Sequence, residues 1–115
     1  MSLYTQLFYS AELNALFSDS ETIAQMLRVE VALAEAQSNK GLFPKAIAKT
    51  IKASGIASEI DVEKLKIDIA LGGNAAIPLV KQLTQIVKNK DTEAAKFIHL
   101  GATSQDIVDT AMVLQ

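Results

Sequence analysis

Between Ser18 and Gly41 apolar side chains return every three or four residues, at Ile23, Met26, Leu27, Val31 and Ala34 and on to Gln37. That spacing gathers them on one side of an α-helix, whereas the two-residue period of a strand would scatter them over both faces. Ser18 or Asp19 offers the side-chain oxygen that caps such a helix, and Gly41 stops it just past Lys40. Val29, Ala32, Leu33 and Ala36 widen the stripe beyond the ~100° that covers one core, so the helix is expected to face a second surface.

The remaining segments repeat the pattern in shorter pieces. One helix is expected around Ala11 to Phe17, and Pro44 opens another through Ile47 and Ile51 to Gly55. Asp61 caps Val62 to Leu71; Gly72, Gly73 and Asn74 then break the pattern, and Pro78 starts a helix to about Asn89. Asp91 or Thr92 begins Glu93 to His99, closed by Gly101, and Thr103 begins a last segment through Ile107, Ala111 and Leu114. The β-branched residues sit at helical spacing and no Asn-Gly or Asp-Gly turn occurs, so the expected fold is all-α, one domain over 1–115 with no linker or repeat. The last segment has a start signal and no stop, so the sequence is expected to be the N-terminal part of a longer protein, ending in mid-helix.

Composition removes several kinds of function. The 115 residues carry a net charge of −2 and no Lys/Arg cluster interleaved with aromatics, which argues against a nucleic-acid partner. No cysteine and a single histidine, His99, leave neither a disulfide framework nor the ligands of a zinc site. No apolar run approaches the ~20 residues of a membrane helix, and the first basic residue, Arg28, comes too late for a signal peptide. A metal-free cytoplasmic protein is expected.

Two places could carry chemistry. The 12 residues 69–80 form the longest uncharged run and contain the Gly72-Gly73 pair followed by Asn74. A neutral loop of this kind suggests backbone packed closely against protein or ligand; a tight buried helix–helix turn is the simpler reading, and Asn74 is the candidate binding residue if a ligand is involved. The second place is His99-Leu-Gly-Ala-Thr103-Ser104-Gln-Asp106. Thr103-x-x-Asp106 fits a capping box with Asp in place of Glu, which accounts for most of the spacing. The same residues also set two hydroxyls beside free N–H groups at a helix N-terminus, an arrangement suited to a carboxylate, with His99 across a glycine turn to add a hydrogen bond or proton. Ser104, His99 and Asp106 do not read as a hydrolase triad, because triads are assembled from separated segments and no nucleophile elbow is present.

The run His99-Leu-Gly-Ala-Thr-Ser-Gln-Asp-Ile-Val-Asp-Thr-Ala111 resembles the first signature of the fumarase/aspartase superfamily. Arg28-Val-Glu-Val-Ala-Leu-Ala-Glu-Ala-Gln37 and Gly41-Leu-Phe-Pro44 are similar to that superfamily's opening helix and turn, so the resemblance covers nearly the whole chain. Gly73-Asn-Ala-Ala-Ile-Pro-Leu-Val-Lys-Gln-Leu83 is similar to the cycloisomerase branch; the purine-synthesis lyases place a His-Asp pair about where Asn74-Ala75 stands.

The resemblance implies a helical domain preceding a long central bundle. It also implies cofactor-free addition of a substrate carboxylate across a double bond of a carboxylated muconate, in the protocatechuate branch of the β-ketoadipate pathway. On that basis His99, Thr103, Ser104 and Asn74 would bind a tricarboxylate, and the catalytic serine loop would lie beyond residue 115. A homotetramer would build each site from three subunits, and this chain alone would be inactive. An adenylosuccinate lyase-like member of the superfamily is the nearest alternative. A non-catalytic helical oligomerisation module using the face from Ile23 to Ala36 is the alternative of another class.

Overall fold

The Ser18 hydroxyl accepts a hydrogen bond from the Glu21 amide at 3.3 Å and so starts α3 (Asp19–Asn39), the long axis of the structure. The computed structural model describes residues 3–115. Two short helices, α1 (Thr5–Phe8) and α2 (Ala11–Leu16), precede α3. After it come α4 (Lys45–Ser54), a 3₁₀ turn at Ala57–Glu59, α5 (Val62–Gly72), α6 (Ala76–Lys90), α7 (Thr92–Ala95) and α8 (Ser104–Leu114). No strand occurs among the described residues, in keeping with the helical periodicity.

α3 packs chiefly against α8 and α4, and α6 closes the core by packing on α4, α7 and α8. Leu27, Ile51, Leu79, Leu83, Val87 and Ile107 are fully buried where these helices meet. Each large aliphatic side chain removed from water there stabilises the fold by about 1.5–3 kcal/mol. α8 runs antiparallel to α3: its far end is fixed where the Gln115 side chain donates to the Leu16 carbonyl at 2.9 Å and to the Thr22 hydroxyl at 3.0 Å. α4 approaches α3 closely at Gly55, where an added Cβ would stand 2.8 Å from Cγ2 of Val31.

Several expectations need correction. The buried stripe of α3 runs through Ile23, Met26, Leu27, Glu30, Ala34 and Ser38, so Glu30 occupies the place expected for Val31, which is only half-buried. The second apolar side is only partly covered: Val29 and Leu33 are half-buried, whereas Ala32 and Ala36 are exposed. α6 begins at Ala76 rather than Pro78, because the Asn74 side chain accepts from the Ala76 and Ile77 amides at 2.8 and 3.1 Å. Pro78 then falls inside the first turn, where its missing N–H breaks no helical bond.

The segment expected to be helical from Glu93 to His99 is helical only to Ala95 and then turns to Gly101. Phe97 leaves the helix to pack on Phe43, with ring centroids 4.9 Å apart. The Gly72-Gly73 pair is exposed, and a Cβ on either residue would meet nothing within 4 Å, so close packing is not why glycine stands there. Gly73 caps α5 in the left-handed region, with φ of 72°, which glycine enters without steric cost.

Candidate functional site

The N-terminus of α8 carries the capping box expected of the Thr103 region. The Thr103 hydroxyl accepts from the Asp106 amide at 3.4 Å and the Asp106 carboxylate accepts from the Thr103 amide at 3.0 Å, so the capping box is complete. The Thr103 backbone N–H, and after it the Thr103 hydroxyl, hold the Asp106 carboxyl below its ordinary value, with a smaller contribution from the charge of His99. His99 precedes this start by four residues, across the turn that Gly101 makes at a φ of 73°. The Ser104 hydroxyl forms no hydrogen bond among the described residues, and neither do the first amides of the helix, those of Ser104 and Gln105. A hydroxyl, two free N–H groups and the positive end of the helix dipole together suit an incoming carboxylate.

His99 is held from α3. Its Nδ1 lies 2.6 Å from Oε1 of Glu30, whose side chain is 1% exposed. Seven residues further along α3 the Gln37 side chain donates to the Leu100 carbonyl at 2.6 Å, so the turn is tied to the helix at two points. His99 has a φ of 59°, in the left-handed region that costs a non-glycine residue on the order of 1–3 kcal/mol. Such a backbone persists only where its surroundings enforce it. Burial pushes the Glu30 carboxyl above its ordinary value, and the hydrogen bond and charge of His99 offset that only in part.

Asn74 stands apart from this constellation. Its side-chain oxygen caps α6, and it lines a groove of about 380 Å³ with Lys64, Asp68, Leu71, Pro78 and Lys81 rather than with His99, Thr103 or Ser104. Lys64 is paired with Asp68 at 3.1 Å. The site residues expected from sequence therefore form one group at the α8 start and a separate residue at the α5–α6 turn. Glu30 escaped the sequence reading, yet it carries a signal: it falls three or four residues from Met26, Leu27 and Ala34, so a carboxylate sits on the buried spacing of an amphipathic helix. No cluster of His, Cys, Asp and Glu able to hold a metal ion occurs among the described residues.

The fold and the site define a class: an all-helical domain with an imidazole, a free hydroxyl and a helix N-terminus at the start of its last helix. Residues 8–115 match the lyase family, and the chain belongs to it. The 3-carboxy-cis,cis-muconate cycloisomerase of Acinetobacter baylyi is 47% identical, aligned over 98% of this chain and 26% of its own length. The crystal structure of the β-carboxy-cis,cis-muconate cycloisomerase of Acinetobacter calcoaceticus superposes with a TM-score of 0.91 at 45% identity, covering 98% of this chain and 27% of that one. The adenylosuccinate lyase of Methanocaldococcus jannaschii is more distant, 32% identical over 87% of this chain and 21% of its own length. The chain thus spans about a quarter of the relatives it matches, in the helical region that opens the fumarase/aspartase fold.

Proposed function

We propose that this chain is the N-terminal domain of a cycloisomerase that converts 3-carboxy-cis,cis-muconate into a carboxymuconolactone. The reaction forms a C–O bond between a substrate carboxylate and one alkene carbon while the neighbouring carbon gains a proton, so negative charge gathers on the carboxylate beside that carbon. Donors fixed in advance where charge develops lower such a barrier. The Ser104 hydroxyl and the Ser104 and Gln105 amides supply them, with His99 alongside, and Thr103 shapes the helix start that presents them. Asn74 lies apart from these donors at the α5–α6 turn, and the group it has left to offer a substrate carboxylate, in a site that the assembled homotetramer completes, is its amide nitrogen, since its oxygen is engaged at the α6 cap.

The observation that carries this reading is the unpartnered Ser104 hydroxyl at an open helix N-terminus beside His99. The eleven cations of the chain include one arginine, Arg28, which is exposed on α3, and three substrate carboxylates call for more than that. The remaining donors and the catalytic groups belong to the rest of a full-length homotetramer, a cytoplasmic enzyme working without metal or organic cofactor. The 115 residues alone therefore give no turnover.

In the full-length enzyme Ser104→Ala is expected to lower kcat/KM for carboxymuconate at least tenfold, followed by absorbance. A Ser104→Ala, Thr103→Ala double variant with parental catalysis would sink the assignment. Turnover of adenylosuccinate in place of carboxymuconate would move the protein to the lyase branch instead.

A further inference from the structure

We propose that Glu30 is a positioning residue: it fixes the tautomer and orientation of His99 so that Nε2 is the nitrogen turned toward substrate. In neutral imidazole one nitrogen donates and the other accepts. An ionised carboxylate can only accept, so with Oε1 at 2.6 Å from Nδ1 the ring proton sits on Nδ1 and the lone pair on Nε2. Nε2 forms no hydrogen bond among the described residues and is not one of the buried unpartnered atoms, so it is the nitrogen open to solvent. The His99 side chain is 20% exposed against 1% for Glu30.

Among the described residues the second carboxylate oxygen, Oε2, is buried without a partner, which leaves His99 as the one group there that Glu30 serves. The backbone agrees with this division of labour. His99 is held in the left-handed region between two ties to α3, the Glu30 contact on its ring and the Gln37 bond to the next carbonyl. The carboxylate in contact with the imidazole is that of Glu30 from α3, and the Asp106 carboxyl at the start of α8 feels the charge of the same ring. When Nε2 takes a proton and donates to a substrate carboxylate, Glu30 matches the charge from the opposite edge of the ring, as a buried carboxylate does behind a catalytic histidine.

The consequence for rate rests on the anion site proposed above; the tautomer does not. His99 is the sole histidine, so long-range ¹H–¹⁵N correlation spectra of the 115-residue chain, recorded on the alkaline side of the imidazole titration, read it without ambiguity. The parent should show the proton on Nδ1. Glu30→Leu should move it to Nε2, and Glu30→Gln, which keeps a carbonyl acceptor, should retain it at least in part on Nδ1. A parent ring protonated on Nε2, a result needing no variant, overturns the proposal, as does a tautomer unmoved by Glu30→Leu in a folded chain.

In the full-length enzyme Glu30→Leu should lower kcat about tenfold or more, with partial recovery in Glu30→Gln. Unchanged kinetics accompanying a switched tautomer would also overturn the positioning role. A parent enzyme that does not lactonise carboxymuconate would sink the functional reading alone, and the spectra would still decide the role of Glu30.

Discussion

Among the described residues Glu30 is the charged side chain that is buried, and its titration can be read in stability. Its folded value lies above the ordinary 4.5, chiefly through burial, so the folded state holds the proton more tightly than the unfolded chain. The stability it contributes is complete below the unfolded value and is lost as pH rises through the raised folded one. Glu30→Gln is expected to remove that loss. The gap in urea-unfolding free energy between variant and parent should move toward the variant as pH climbs from about 4 to about 7, and a gap independent of pH would contradict it. At Gly55 steric contact decides the outcome. A Cβ there would lie 2.8 Å from Val31 Cγ2, so Gly55→Ala should cost about 1–3 kcal/mol in denaturant unfolding. Val31→Ala in the same chain should recover most of it, a coupling that a double-mutant cycle reads directly. The Thr103-x-x-Asp106 box was legible because a cap is local chemistry. Glu30 was not, since Glu30 and Val31 are adjacent on the helix and periodicity favours the apolar one of two neighbours. Only the partner sixty-nine residues away makes the carboxylate the buried choice.

At the scale of the element, helix starts were easier to read than loops. Ser18, Asp61, Asp91 and Thr103 all cap as their side chains suggest, each accepting from an amide two or three residues on. The α6 start was misplaced because Asn74 does the same work within a run that read as a tight turn before Pro78. The turn after α7 was misplaced because Phe97 and His99 are drawn to Phe43 and Glu30, contacts that no local propensity encodes. α8 offers the clearest test. Thr103→Ala removes the cap and should cost about 1 kcal/mol of unfolding free energy. The Asp106 half of the box depends on pH: its carboxyl is held below the ordinary 3.8, so its contribution is present above that value and fades as pH falls through the folded one. Amide-exchange protection at Thr103, whose N–H the Asp106 carboxylate accepts, should therefore weaken in acid in the parent. Asp106→Asn should flatten that dependence, and a variant as acid-sensitive as the parent would remove the box from the account.

The whole molecule is longer than its sequence length requires. A compact domain of this size has a radius of gyration of about 13 Å; here it is 15.7 Å, with extents of 55 × 26 × 22 Å. α1 and α2 account for much of the apolar surface left open: they bury no residue, and Leu7, Phe8, Leu13 and Phe17 all remain more than half exposed. The core formed by α3, α4, α6 and α8 does not draw on α1, so removing residues 1–10 should leave the unfolding free energy within about 0.5 kcal/mol of the parent. The same deletion should reduce self-association in sedimentation, because exposed apolar side chains gathered along two helices drive contact between copies when nothing else covers them. A deletion that destabilised the core by several kcal/mol would instead assign α1 a packing role. One that left association untouched would shift the contact to the exposed Ile67 and Leu71 of α5 or to Met112 and Val113 at the end of α8.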